Sequence, residues 1–183
     1  MLKSLITQYQ DVFKFLGRFV GTYLLLTLVY NGYLWISKGG AFVPDLVTHL
    51  VAKQSEQIIN QFGYIAAVAP SADQPMLMLF VNGNYIARVI EGCNALSIII
   101  LFIAFIVAFN QGFKRTFLYI LAGSVLIYVV NLIRIAVLAI ALYNYPDQEP
   151  LLHDVIFPGI IYGMVFLLWM IWVRKLPKSA KNV

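Results

Sequence analysis

Apolar residues gather into four long runs along the chain, separated by two short polar segments and one long one. Each run holds about 18 or more residues with few charges, the length of a helix that crosses the ~30 Å hydrocarbon core of a bilayer. The predicted transmembrane helices cover residues 15–36, 94–111, 117–142 and 151–173. Such helices bury polar groups only by packing on one another. We therefore predict an all-α integral membrane fold with one domain, residues 1–183.

The long polar segment, residues 38–92, is expected to form one extracytoplasmic loop. Apolar residues recur at threes and fours over residues 43–62, which is typical of an amphipathic helix lying on the membrane or on the bundle. Over residues 76–90, Asn82-Gly83 separates two apolar runs. This arrangement predicts a β-hairpin whose second strand leads directly to Cys93.

Composition agrees with a membrane protein, because 61% of the residues are hydrophobic against roughly 45–50% in soluble domains. A single cysteine permits no internal disulfide and excludes oxidoreductases that cycle a pair of thiols. The net charge of +5 does not indicate nucleic acid, because the basic residues flank apolar runs instead of clustering with aromatics. The first run is longer than a signal-peptide core, and no A-x-A site follows it, so we expect it to remain as an anchor.

The basic residues predict the orientation of the bundle. Four spans would place the following on one side: Lys3, Lys14, Arg18, Lys114, Arg115, Arg174, Lys175, Lys178 and Lys181. The other side would hold only Lys38, Lys53 and Arg88. The positive-inside rule then puts both termini in the cytoplasm, and the loop and the Cys93 end of the second span outside.

Cys93 lies where the polar loop gives way to the second apolar run. The N-terminal end of a helix favours a thiolate, the nucleophilic form of the side chain. Cysteine also packs well as a small hydrophobe, so the thiol alone does not decide between the two roles. Glu91 and Asn94 flank it as candidate supporting residues, with Glu91 expected either to pair with Arg88 or Arg134 or to be solvated.

Arg134 is a second candidate, because an arginine inside an apolar span is costly and is by default a functional-site hypothesis. Counting about 17 residues from Phe117 at ~1.5 Å places it ~26 Å up a ~30 Å core, on the side of Cys93. Snorkelling to headgroups or a structural ion pair would also explain it. Asn131, three positions earlier, would either hold the guanidinium through a hydrogen bond or satisfy a neighbouring helix.

His153 opens the fourth span on the same side. Imidazole suits proton transfer at neutral pH, although a histidine at an interface is often only a polar tip, the status we expect for His49. Glu149, one turn earlier, is a candidate to orient His153. Together, an imidazole would take the thiol proton, the thiolate would attack a peptide carbonyl, and a guanidinium would stabilise the oxyanion. No H-E-x-x-H signature is present, and we expect no metal and no cofactor.

Three short blocks resemble the exosortase/archaeosortase family of membrane-embedded cysteine transpeptidases: E-G-C-N-A around Cys93, N-L-I-R-I around Arg134 and H-D-V-I-F-P-G around His153. The short length and the single outer loop are most similar to the exosortase F type. The resemblance implies that Cys93 is the nucleophile, His153 the acid/base and Arg134 the essential cation. One departure is Ala95, where many members have glycine.

The resemblance also implies a location in the bacterial cytoplasmic membrane and an activity on C-terminal sorting signals of exported proteins. Such substrates carry a short motif, a transmembrane helix and a basic tail, and the enzyme is expected to transfer them to a surface acceptor. A non-catalytic subunit that binds a partner's transmembrane helix is the alternative. A small transporter would use Arg134 in a polar path, but that hypothesis does not explain Cys93 and His153 at the same depth.

Overall fold

The structure is a computed structural model and describes residues 9–109 and 111–174. Its main elements are α1 (Gln10–Ser37), α2 (Leu46–Gln61), β1 (Ala66–Pro70), β2 (Leu77–Val81), β3 (Asn84–Val89), α3 (Leu96–Ala108), α4 (Phe113–Asn144) and α5 (Phe157–Arg174). A 3₁₀ turn, Glu91–Cys93, precedes α3. Short helical turns over Pro146–Gln148, Glu149–Leu151 and Leu152–Ile156 lead into α5. The protein is therefore mainly helical, with one small sheet.

Three helical segments are long and apolar enough to cross a membrane: Gln10–Ser37, Phe113–Asn144 and Pro146–Arg174. The predicted second span is shorter than expected, because α3 has only 13 residues. At 1.5 Å per residue it is about 20 Å long, less than the ~30 Å hydrocarbon core. It begins at Leu96 because Asn94 and Ala95 form the turn before it. It ends at Ala108, and Gly112, with φ +94°, turns the chain into α4.

The short helix α3 nevertheless extends, with its flanking residues, over most of the length of α1. At its start, Asn94 Nδ2 donates a hydrogen bond of 3.0 Å to the hydroxyl of Tyr30, near the end of α1. Beyond its end, the ring of Phe109 lies 4.4 Å from that of Phe15, near the start of α1. Since Phe15 and Tyr30 are about 22 Å apart along a helix, α3 passes antiparallel to most of α1.

One end of the bundle brings together the start of α1, the end of α3, the start of α4 and the end of α5. Trp172 Nε1 donates to the carbonyl of Phe109 at 3.1 Å, and Gln111 Nε2 donates to the carbonyl of Trp172 at 2.9 Å. The ring of Tyr119 lies 4.6 Å from that of Trp172. The exposed basic residues near this end are Lys14, Arg18, Lys114, Arg115 and Arg174. We call it the basic end.

The bundle packs closely where α3 meets α4 and is apolar on its outside. The fully buried ring of Phe102 lies against Gly123, where a Cβ would overlap the ring. The helix α1 has no buried residue, although its composition is strongly apolar. A large apolar surface of this kind is unfavourable in water and is typical of a lipid-facing helix. The protein is therefore an integral membrane protein.

The helix α2 packs one face on the rest of the protein and leaves the apolar side chains of Leu46 and Leu50 exposed. It begins at Leu46, later than residue 43, because Pro44 precedes Asp45 and the Asp45 side chain caps the helix by accepting from the N–H groups of Val47 and Thr48. Its buried residues, Thr48, Val51, Ala52, Ser55 and Ile59, lie on one face. The apolar ones share a core with the strands and with the C-terminal half of α4.

The predicted hairpin is confirmed, because β2 pairs antiparallel with β3 across Asn82 and Gly83. Both turn residues have positive φ, 49° and 82°, as a two-residue hairpin loop that follows strand twist requires. The third strand, β1, was not predicted, since Ala66–Pro70 shows no clear alternation and ends in proline. The strand order is β1-β2-β3, so β2 is central. We call α2 and this sheet together the cap.

Candidate active site

A cavity of about 460 Å³ lies between the cap and the C-terminal half of α4. Its wall includes Cys93 from the turn before α3, Arg134 from α4 and His153 from the segment before α5. The rest of the wall is formed by β3, by apolar residues of α4 and by Glu149. Three residues that are far apart in the sequence therefore face one space.

The thiol of Cys93 is free, and the residue is half-buried at the end of the 3₁₀ turn. Its N–H donates to the carbonyl of Ile90 at 2.8 Å. Its carbonyl accepts a hydrogen bond of 2.8 Å from Asn131 Nδ2. The turn follows β3 directly, so the sheet, the turn and α4 together fix the main chain at Cys93. The residue precedes α3 and does not belong to its first turn.

Asn131 connects the main chain at Cys93 to Arg134. Its side chain is fully buried, and its Oδ1 accepts a long hydrogen bond of 3.4 Å from the Arg134 guanidinium, as the three-residue spacing predicts. The Nε of Arg134 is buried and has no hydrogen-bond partner within residues 9–109 and 111–174. Arg134 also forms no ion pair with any residue in these two ranges. The guanidinium therefore brings an uncompensated positive charge to the cavity wall.

His153 lies in a π-helical turn, Leu152–Ile156, in which the N–H of Phe157 donates to the carbonyl of Leu152. The widened turn comes just before Pro158, which lacks the N–H that an α-helix would direct to residue 154 and whose ring crowds that carbonyl. This turn presents the imidazole to the cavity, with the His153 side chain 58% exposed.

Asp154, and not Glu149, holds the His153 ring. His153 Nδ1 lies 2.8 Å from Asp154 Oδ1, whereas Glu149 lines the cavity without bonding the ring. A carboxylate oxygen accepts hydrogen bonds, so this contact favours the imidazole tautomer with its hydrogen on Nδ1. In that tautomer Nε2 carries the lone pair and can take a proton.

The family model described as transmembrane exosortase (Exosortase_EpsH) matches residues 12–173, most of the chain. The chain belongs to the exosortase family. No curated protein and no solved structure matches it. In this exosortase the matched region covers the cap as well as the segments that carry Cys93, Arg134 and His153.

Asn94 ties the segment after Cys93 to two other helices of the exosortase. Its side chain is buried, and its Nδ2 donates to the hydroxyls of Tyr30 at 3.0 Å and Thr48 at 3.1 Å. Its Oδ1 accepts from the N–H of Leu96 at 2.9 Å and so satisfies a free donor at the start of α3. Asn94 is therefore a structural anchor of the turn, and its side chain is not directed into the cavity wall.

Glu91 forms neither of the ion pairs considered for it. It opens the 3₁₀ turn half-buried, and among the described residues it is paired with neither Arg88 nor Arg134. Glu91 lines a small cleft together with Lys38 and Pro44. The sequence did not distinguish this outcome from pairing, because the direction of a side chain in a short turn is not fixed by spacing.

Ala95 has a left-handed backbone, with φ +63°, and is buried. A left-handed conformation costs a non-glycine residue about 1–2 kcal/mol. This is the position at which the resemblance implied a glycine. Glycine adopts this conformation without a steric cost, and this chain keeps the turn with alanine in its place.

A buried polar network beneath the site was not predicted. Asp45 is fully buried, and its carboxylate accepts from Tyr33 Oη at 2.9 Å as well as from Thr48 Oγ1. Thr48 in turn accepts from Asn94, so the network reaches the residue after Cys93. An aspartate before an amphipathic helix is a recognisable capping signal. Its connection to Tyr33 and Asn94 depends on helix packing and is not visible in local sequence.

Proposed function

We propose that this exosortase is a cysteine peptidase and transpeptidase that cleaves C-terminal sorting signals of membrane-anchored exported proteins. The observation that supports it is that Cys93, Arg134 and His153 line the same cavity. A subunit that only docks a partner helix needs no such set. A thiol, an imidazole and a guanidinium around one space are the groups that peptide-bond cleavage through a thioester uses.

The proposed reaction begins when His153 Nε2 takes the proton of Cys93 Sγ. The thiolate attacks the carbonyl carbon of the substrate peptide and forms a C–S bond, while the Arg134 guanidinium stabilises the oxyanion. Collapse breaks the C–N bond, and His153 returns the proton to the departing amine. The thioester on Cys93 is then attacked by an acceptor nucleophile, which takes the acyl group and regenerates the thiol.

The proposed substrate carries a short motif, a transmembrane helix and a basic tail. The cavity lies away from the basic end of the bundle, and the positive-inside rule assigns a basic end to the cytoplasm. We therefore place both termini of the enzyme inside and the cavity at the outer face of the bacterial cytoplasmic membrane. A substrate helix lying beside the bundle would then present its basic tail inside and its motif at the cavity.

We also propose the narrower assignment to the exosortase F type. The single long segment between the first two predicted spans supports it. The acceptor is proposed to be a nucleophile at the cell surface that resolves the thioester.

The catalytic assignment is tested by expressing Cys93→Ala, Arg134→Ala and His153→Ala with a tagged candidate substrate that ends in a motif, a span and a basic tail. Each substitution should lower the cleavage rate at least about a hundredfold, because each removes a group that acts in the transition state. Accumulation of uncut substrate is followed by the shift in its mass.

The matched controls are His49→Ala, at the chain's other histidine, and Arg115→Ala, at the opposite end of the helix that carries Arg134. Both should leave cleavage within about threefold of wild type. Arg115 is exposed and remote, and His49, half-buried against the ring of Phe42, does not line the cavity. Cleavage that survives all three active-site substitutions would refute the proposal.

A further inference from the structure

The strand β3 is an edge strand, and its free edge faces the cavity. It pairs with β2 on one side, and in residues 9–109 and 111–174 no strand pairs with its other side. Five successive residues of β3, Tyr85 to Val89, line the cavity. Successive side chains of a strand point to opposite faces of a sheet. This alternation is interrupted at Ile86, which is left unpaired in a bulge between Tyr85 and Ala87, but it holds over Ala87 to Val89. The cavity therefore meets the main chain at the strand's edge.

An unpaired edge carries N–H and C=O groups that still require partners. Water satisfies them on an exposed edge, but this edge forms the wall of the cavity that holds Cys93, Arg134 and His153. An extended peptide satisfies the same groups by adding one strand to the sheet. The edge can therefore form hydrogen bonds with the main chain of a peptide, whatever side chains the peptide carries.

The direction of β3 leads to the thiol. Its start is level with Ala66, two residues after Tyr64, whose ring lies 5.9 Å from that of Tyr143 near the end of α4. Its end continues through the 3₁₀ turn to Cys93, whose carbonyl is bonded to Asn131, more than three turns earlier in α4. The strand thus descends along α4 towards the apolar bundle and delivers the chain to the nucleophile.

We propose that the substrate binds as an additional strand along the free edge of β3, parallel to it, with its scissile carbonyl at Cys93. This inference rests on the proposed function, in which the substrate chain enters the membrane after the cleavage site and so descends as β3 does. The edge from Tyr85 to Val89 is about 13 Å long at ~3.3 Å per residue, room for about four or five substrate residues. These are the residues that precede the scissile bond.

The test uses a tetra-alanyl chloromethyl ketone as the probe, added to membranes that contain the full chain. Alkylation is read by intact mass. Because chloromethyl ketones also alkylate histidine, the adduct is assigned to Cys93, the only cysteine, by its loss in Cys93→Ala. After correction for intrinsic reactivity towards glutathione, the ketone should alkylate Cys93 at least about tenfold faster than iodoacetamide, since several main-chain hydrogen bonds contribute. Equal corrected rates would overturn the proposal.

The direction is tested with chloroacetyl-tetra-alanine amide, which has the same residues on the other side of the reactive carbon. It should show no acceleration, because its peptide would extend away from β3. Replacing the amides of the ketone by esters, one at a time, should lower its rate about threefold to tenfold at alternate positions. Uniform losses, or none, would exclude strand pairing.

Proline substitutions test the edge itself. Of the adjacent residues Ala87 and Arg88, one directs its N–H towards β2 and the other towards the free edge. Among Ala87→Pro and Arg88→Pro, the variant that keeps the wild-type melting temperature should lose the acceleration by the ketone and keep its rate with iodoacetamide. Arg88→Ala separates the effect of the side chain from that of the N–H. Two stable proline variants with undiminished acceleration would overturn the proposal.

The two proposals fail in different ways. If Cys93→Ala abolishes substrate cleavage but the ketone shows no acceleration, the strand pairing is wrong and the proposed function stands. If Cys93→Ala still cleaves the substrate, the proposed function is wrong, whatever the labelling rates are.

Discussion

The buried side chain of Asn131 bonds to two neighbours, a hydrogen-bond acceptor and a hydrogen-bond donor. A carboxamide donates at Nδ2 and accepts at Oδ1, which is what the Cys93 carbonyl and the Arg134 guanidinium respectively require. An aspartate there would lose the donor to the carbonyl, and a leucine would leave both groups unpaired in a buried place. The positions of the proposed nucleophile and the proposed oxyanion cation are thus coupled through one residue.

The contact between His153 and Asp154 predicts a modest positioning effect. Both side chains are mostly exposed, so solvent screens the pair and its loss should lower the cleavage rate by at most about fivefold. Asp154→Ala is the test, with the cleavage rate measured under subsaturating substrate. The matched control is Glu149→Ala, which lines the cavity without touching the ring and should change the rate less. A loss of a hundredfold in Asp154→Ala would require a direct catalytic role instead.

Ala95→Gly should leave stability nearly unchanged, within about 1 kcal/mol, because two effects oppose each other. Removing the left-handed strain gains about 1–2 kcal/mol, while the lost buried methyl and the added freedom of glycine cost about 1.3–1.8 kcal/mol. The control is Ala104→Gly, a fully buried alanine inside α3. It should cost about 1.5–2 kcal/mol, since helix propensity and burial are both lost.

These two alanines are compared by thermal unfolding in the same detergent. Equal losses at the two positions would show that Ala95 is not strained. Ala95→Val extends the comparison, because a β-branched side chain is strongly disfavoured at positive φ and should destabilise the protein more than glycine does.

The N-terminus of α2 depends on Asp45, which is fully buried and accepts four hydrogen bonds. Asp45→Ala should destabilise the protein by about 2–4 kcal/mol, because the helix loses its N-cap side chain and the hydrogen bonds that the carboxylate accepts. The melting temperature measures the effect. Asp73→Ala, on an exposed loop, should stay within about 0.5 kcal/mol of wild type. A similarly small shift for Asp45→Ala would mean that the N-cap side chain of α2 contributes little to stability.

Elements with a strong local signal were predictable from sequence, and those set by packing were not. Asn82-Gly83 fixes the hairpin because both residues tolerate positive φ. The spacing of apolar residues predicts the helix α2 but not its buried face, since Leu46 and Leu50 are exposed whereas Thr48 and Ser55 are buried. The strand β1 depends on pairing with β2, and its own residues indicate no periodicity. The short length of α3 follows from the turn that Asn94 stabilises, which an unbroken apolar run conceals.

The site was predictable to the extent that three chemical groups occupy the same end of successive spans. Depth follows from counting residues along a helix, so Cys93, Arg134 and His153 could be expected near one level. The residues that support these three side chains could not be predicted from the sequence. Asn94 bonds to Tyr30, 64 positions away, and such a contact depends on how the helices pack. The free edge of β3 at the cavity is likewise a property of the assembled cap and bundle.

The arrangement of the whole molecule predicts that α3, although short, separates two sides of the membrane. Asp73 lies in the exposed loop between β1 and β2 of the cap, and Lys114 lies at the basic end. In a Cys93→Ser background, Asp73→Cys should react with an impermeant maleimide in intact spheroplasts. Lys114→Cys should react only after permeabilisation, because the positive-inside rule places the basic end in the cytoplasm.

The pattern of labelling distinguishes the possible arrangements. Reaction of both cysteines from outside would mean that α3 does not cross, and that the contacts of Phe109 with Phe15 lie within one leaflet. Reaction of Lys114→Cys alone would mean the opposite orientation, with the cavity in the cytoplasm, and would contradict the proposed action on exported proteins. Reaction of Asp73→Cys alone would agree with a cavity that opens to the outside, because Cys93 directly follows the sheet of the same cap.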